Sequence, residues 1–119
     1  MPKILIIEDE ANIRLFIRVN LMRRGYTVSE AGTGTQGLQL LRETVHDAVI
    51  LDMHLPDMTG ANILNVMSQE ERLKTIPVIL MTASVSIGET ANYPNMVRHV
   101  MKPASVDMLL EALQSVASV

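Results

Sequence analysis

The 119-residue sequence predicts an α/β fold, a doubly wound five-stranded parallel sheet with helices on both faces. Three observations carry that expectation. The runs Ile4 to Ile7, Ala48 to Leu51 and Val78 to Met81 are apolar throughout, as strands buried on both faces are. The stretches between the strands place apolar residues at helical spacing. Each buried run also stops at a polar residue, at the strand end where open α/β sheets gather their ligands.

The first strand, Ile4 to Ile7, runs into the acidic loop Glu8-Asp9-Glu10. From Asn12 to Arg24, Ile13, Phe16, Ile17 and Leu21 recur at helical spacing, Arg14 and Arg18 lie elsewhere on the helix, and Gly25 is the stop. Tyr26 and Val28 alternate with Thr27 and Ser29, which suggests a shorter edge strand up to Glu30. Gly34-Thr35 opens a helix with Leu38 and Leu41 inward. The third strand, Ala48 to Leu51, ends at Asp52, and a Pro56-Asp57 turn and Gly60 precede a helix marked by Ile63, Leu64 and Met67. Val78 to Met81 ends at Thr82, Val97 to Met101 makes a fifth strand, and a last helix from near Ser105 carries Leu109, Ala112, Leu113 and Val116. Right-handed crossovers leave the flavodoxin-like order 2-1-3-4-5 as the common solution, with Asp9 and Asp52 at its ligand-binding crevice. The absence of a repeat, linker or low-complexity segment implies a single domain over 1–119.

Composition narrows the function classes. The net charge of −3 and the lack of a basic run argue against a chain that holds nucleic acid directly by neutralising phosphates. No apolar run approaches the roughly 18 residues of a membrane span, and the expected location is the cytoplasm. With no cysteine, disulfides, thiol catalysis and cysteine-ligated zinc are excluded. Nine methionines beside one phenylalanine point to a core of flexible aliphatic side chains.

Four strands each deliver a distinctive polar group at the carboxyl end: Glu8 and Asp9, then Asp52, then Thr82, then Lys102. Clustered carboxylates repel, so such a pocket calls for a cation, and oxygen ligands favour Mg²⁺, Mn²⁺ or Ca²⁺ over softer metals. One carboxylate attacking phosphorus forms an acyl phosphate, with the metal, an ammonium and a hydroxyl donor stabilising the transferred oxygens. Singly, each residue has a plainer explanation: a carboxylate after a strand often caps the next helix, and a lone lysine is usually surface charge.

The segments IIEDE (6 to 10), LDMHLPDMTG (51 to 60), LMTA (80 to 83) and MKP (101 to 103) resemble the motifs of response-regulator receiver domains across essentially the whole chain. The resemblance implies that Asp52 is a phosphoacceptor, taking phosphate from a phosphohistidine on a sensor histidine kinase or histidine phosphotransfer protein. It implies a phosphorelay switch that catalyses its own phosphorylation and dephosphorylation and not a conventional turnover enzyme. Mg²⁺, with Mn²⁺ as a substitute, is expected on Glu8, Asp9, Asp52 and the main-chain carbonyl of His54, with Met53 as the neighbouring alternative. Thr82, Lys102 and the main-chain amides of Met53 and Ala83 are expected at the phosphoryl group. The Lys102-Pro103 bond is commonly cis in the family. An output face of the fourth helix, fifth strand and last helix would meet a downstream protein or output domain.

The chain has several features to weigh against the family pattern. Glu8 stands where Asp is frequent, which bears on metal affinity. His54 and Ser84 occupy positions that tune the lifetime of the phosphoryl group, and His99 lies where many receivers carry a switch tyrosine or phenylalanine. Residues Ser84 to Asn95, with Gly88, Asn92, Pro94 and Asn95, are poor helix material, so a short, frayed or displaced fourth helix is expected.

Other readings explain less. Gly32 to Gly37 spell a G-x-G-x-x-G, with Asp52 about 20 residues on as a dinucleotide site would have. The preceding strand, however, carries Thr27, Ser29 and Glu30, where a buried strand is required. An aspartyl phosphatase resembling the haloacid dehalogenases would carry a second Asp where His54 stands, and would have a cap domain. A receiver-like interaction scaffold that takes no phosphate has no need of Asp9, Asp52, Thr82 and Lys102 together. The last helix ends close to the C-terminus, which reads as a stand-alone regulator or a receiver taken from a longer one.

Overall fold

The structure is a computed structural model and describes residues 1–82, 96–102 and 105–117, without the side chains of 96–98. Its elements run β1 (Lys3–Ile7), α1 (Ala11–Arg23), β2 (Thr27–Ala31), α2 (Gly34–Glu43), β3 (Ala48–Asp52), α3 (Gly60–Ser68), β4 (Val78–Thr82), β5 (Met96–Met101) and α4 (Val106–Gln114). All strand pairs are parallel and the order is β2-β1-β3-β4-β5, as the alternation of buried strands and amphipathic helices predicts. The helix expected within 84–95 and the Lys102-Pro103 bond lie outside the described residues. No helix among the described residues is long and apolar enough to cross a membrane.

Strand alternation divides the core in two. Ile4 and Ile6 of β1, with Ile50 and Ile79, pack against Ile17 and Leu21 of α1 and Leu109 and Leu113 of α4. Leu5 and Ile7, with Val49, Leu51 and Leu80, pack against Leu38 and Leu41 of α2 and Ile63, Leu64 and Met67 of α3. Burying each such side chain contributes about 1.5–3 kcal/mol before chain entropy is counted. Because β1, β3 and β4 are covered on both faces, only their ends meet solvent, and polar residues can be accommodated there.

The turns follow the sequence closely. Gly25 ends α1 with φ 95°, while its amide donates to Met22 O and the Tyr26 amide donates to Leu21 O, a stop that needs a residue without Cβ. Thr33, Thr59 and Ser105 cap α2, α3 and α4, each side chain accepting from the amide three residues on. The glycines of the Gly32 to Gly37 run have packing reasons. A Cβ on Gly37 would fall 2.5 Å from Ile7 Cδ1, one on Gly34 would overlap Met58, and one on Gly32 would stand 3.2 Å from Arg14 Nη1. The run follows edge strand β2, so it has neither the buried strand nor the crevice a dinucleotide site requires.

One residue sits otherwise than its spacing suggests. Phe16 is 55% exposed, beside exposed Leu15, Val19 and Met22, because α1 centres its buried stripe on Ile13, Ile17 and Leu21 and leaves Phe16 at the margin. His46, after α2, is buried. Its Nδ1 lies 3.0 Å from the Thr44 carbonyl and therefore carries the proton, while burial pulls the imidazole pKa below its ordinary value.

Candidate functional site

The four strand ends converge. Asp52, the last residue of β3, is 4% exposed, and Lys102 reaches back from the residue after β5 to place Nζ 2.9 Å from Asp52 Oδ1 and 3.4 Å from Glu8 Oε2. The Lys102 amide donates to Thr82 O at 2.8 Å, which ties the ends of β4 and β5 and sets the lysine next to buried Thr82. Glu8 is fully buried and Asp9 is exposed. Glu8, Asp9 and Asp52 each offer a carboxylate oxygen, all within 4.8 Å of one another.

Three carboxylates this close with one ammonium leave excess negative charge. Burial, and then the charge of Asp52, raises the Glu8 carboxyl from 4.5 to about 7, against the opposing pull of Lys102. Burial lowers the Lys102 ammonium, but Asp52 and Glu8 outweigh it and hold the group above the usual lysine value. A hard divalent cation fits this donor set of clustered carboxylate oxygens without sulfur or imidazole, and relieves the repulsion that Glu8 registers.

The remaining expected residues divide. His54 follows Met53 in the loop after β3, is exposed, and pairs with Thr59 in an isolated antiparallel bridge. The Met53 amide, expected to face a phosphoryl group, instead donates to Met81 O at 3.0 Å, the bond that closes the Asp52–Met81 pair at the end of the β3–β4 ladder. His99 lies half-buried on β5 opposite Leu80 and lines a surface hollow of about 230 Å³ with Met108 and Glu111. Ala83 and Ser84 lie outside the described residues. Exposed Phe16 rims an open groove of about 510 Å³ running past Ile13 and Ile17 to Met81 and Lys102.

One contributor has no signature in the sequence beyond its turn. Asp57, in the loop after β3, accepts from the Gly34 amide at 2.8 Å, the Thr35 amide at 2.9 Å and Thr35 Oγ1 at 2.7 Å. Those bonds clasp the loop after β3 to the N-terminus of α2 and hold the Asp57 carboxyl down to about 2, the Thr35 hydroxyl contributing most.

Residues 4–114 match the response regulator receiver domain family. Chemotaxis protein CheY of Pseudomonas aeruginosa is 32% identical over 117 residues, 96% of this chain and 94% of that protein. Polar-differentiation response regulator DivK of Brucella anthropi is 32% identical over 119 residues, 97% and 96% of the two. The chain spans only half of transcriptional regulatory protein KdpE of Mycobacterium tuberculosis, at 34% identity, and 36% of AfsQ1 of Streptomyces coelicolor, at 40%. Vibrio cholerae chemotaxis protein CheY4 superposes with a TM-score of 0.91 at 27% identity over 98% of both chains. The order of the strands, the acidic cluster beside Lys102 and these likenesses agree, and the chain belongs to the receiver domain family of response regulators.

Proposed function

We propose that the chain is a phosphoacceptor switch of a two-component phosphorelay, one receiver unit over 1–119 that works in the cytoplasm. The observation that carries this reading is the buried Asp52 carboxylate, paired with Lys102 at 2.9 Å and clustered with Glu8 and Asp9. Asp52 attacks the phosphorus of a phosphohistidine on a histidine kinase or phosphotransfer protein. The P–N bond breaks, the donor imidazole leaves, and an acyl phosphate forms on Asp52. The Lys102 ammonium and the Thr82 hydroxyl donate to the transferred oxygens, and the Ala83 amide joins them. Glu8, Asp9, Asp52 and the His54 carbonyl would hold Mg²⁺, which when bound neutralises charge on those oxygens; Mn²⁺ offers the same chemistry.

In this reading the response passes through Thr82 and His99 to the face of β5 and α4, where a downstream protein or output domain docks. The His54 side chain and Ser84 set how readily water reaches the phosphoryl group, so His54→Asn changes the rate of phosphate loss; equal lifetimes would remove His54 from that role. The deciding experiment is incubation with acetyl phosphate and Mg²⁺, followed by intact mass. Wild type gains one phosphoryl group and Asp52→Asn gains none. A wild type that gains none makes the chain an interaction scaffold.

A further inference from the structure

The loop between β1 and α1 must present Glu8 and Asp9 with their carboxylates crowded against Asp52, yet α1 starts without a side-chain cap. Glu10 stands at the N-cap and its carboxylate accepts nothing from the helix. The loop is held instead from the first turn of α1. Arg14 Nη1 donates to the Glu8 carbonyl at 2.6 Å and to the Asp9 carbonyl at 3.3 Å. On β2, Glu30 is an ion-pair partner on the other side of that guanidinium, with Oε1 3.4 Å from Arg14 Nε and its second oxygen 3.3 Å from Arg18 Nε, neither Nε making a hydrogen bond among the described residues. Gly32 leaves the slot in which the guanidinium lies, since a Cβ there would approach Nη1 to 3.2 Å.

We propose that Arg14 is a positioning residue for the divalent-cation site, gripping the main-chain carbonyls of two acidic residues so that their carboxylates converge with Asp52. The inference rests on the reading that Glu8, Asp9 and Asp52 hold Mg²⁺. It also explains the first glycine of the Gly32 to Gly37 run, which makes room for the arginine. Direct Coulomb attraction cannot be Arg14's contribution, because a guanidinium beside a cation site repels the cation. Removing a bystander charge therefore tightens Mg²⁺ binding, whereas removing a positioning residue weakens it. The sign of the change separates the two.

Mg²⁺ binding is measured calorimetrically, without phosphorylation, on the full chain of wild type, Arg14→Gln, Arg14→Lys and Gly32→Ala. Arg14→Gln is expected to bind about tenfold more weakly or worse, the scale on which groups that orient metal ligands act. Arg14→Lys recovers part of the loss, since one ammonium reaches a carbonyl but cannot also span to Glu30. Gly32→Ala binds more weakly with every charge in place, and it decides the matter if Arg14→Gln fails to fold by circular dichroism. Equal or tighter binding in folded Arg14→Gln, or unchanged binding in both Arg14→Lys and Gly32→Ala, overturns the role of Arg14 alone. A wild type that binds no Mg²⁺ overturns the cation-site reading itself, and Arg14's role falls with it.

Discussion

Glu8 makes the metal-free protein less stable as pH rises, opposite to the usual behaviour of a carboxylate. Its pKa stands at about 7 in the folded chain against 4.5 for the ordinary group. Between those values the folded state binds a proton that the unfolded state does not, so stability is complete below about pH 4.5 and falls as pH rises to about 7. Over that interval the slope is about 1.4 kcal/mol per pH unit, which sums to about 3 kcal/mol. That is a large share of the stability of a domain this size. Urea unfolding in the presence of a chelator, at half-unit steps from pH 4.5 to 8, is the assay, with Glu8→Gln as the reference that keeps the shape and removes the titration. Glu8→Gln gains on wild type by about 3 kcal/mol across the interval. At pH 8, saturating Mg²⁺ returns much of the loss to wild type, because a cation favours the ionised carboxylate. Parallel profiles for the two proteins would refute the reasoning.

Two further perturbations read other parts of the structure. Asp57→Ala removes three hydrogen bonds to the start of α2 and lowers the melting temperature at neutral pH. Because the Asp57 carboxyl is held down to about 2, its contribution is present above the ordinary carboxylate range and lost as pH falls toward 2. The gap between wild type and variant in thermal melts therefore closes under strong acid, and a gap that persists at pH 2 counts against the clasp. His46 is buried with a lowered pKa, so the folded state resists the proton that the unfolded state takes up below pH 6.5. Its effect is a loss of stability on acidification, and the denaturation profile of His46→Gln relative to wild type should rise from pH 7 to pH 5; a flat difference shows that His46 does not titrate with unfolding.

The sheet and its order are legible in the sequence because they depend on local patterns that survive without tertiary knowledge. Three wholly apolar runs set between amphipathic stretches point to buried parallel strands, and Ser105 marks a helix start by residue type, while the caps Thr33 and Thr59 stand one residue before the Gly34 and Gly60 that the sequence offers as markers. The clustering of the site is legible for the same reason, since Glu8, Asp52 and Thr82 each stand where an apolar run stops, Asp9 follows Glu8, Lys102 follows the fifth strand, and the topology gathers those strand ends at one edge. What is not legible depends on contacts across the chain. Helical spacing allows Phe16 on the buried stripe, and the centring of that stripe on Ile13, Ile17 and Leu21 leaves it at the margin. Arg14 and Arg18 look like solvated helix charges until β2 brings Glu30 against them. That Met53 donates to β4 depends on where the β3–β4 ladder ends, which one strand's sequence does not record. Asp57 reads as a turn residue, and its partners lie 22 and 23 positions earlier.

The clasp made by Asp57 makes the two banks of the pocket unlike. On one bank, the loop that follows Asp52 is moored by three hydrogen bonds to a helix whose Gly37 lies flush against Ile7. On the other, the Lys102 amide on Thr82 O closes the β4–β5 ladder at its tip, and among the described residues β5 is an edge strand of the sheet. A charge added at Asp52 would meet this moored loop on the side of α2 and an edge strand on the side of β5.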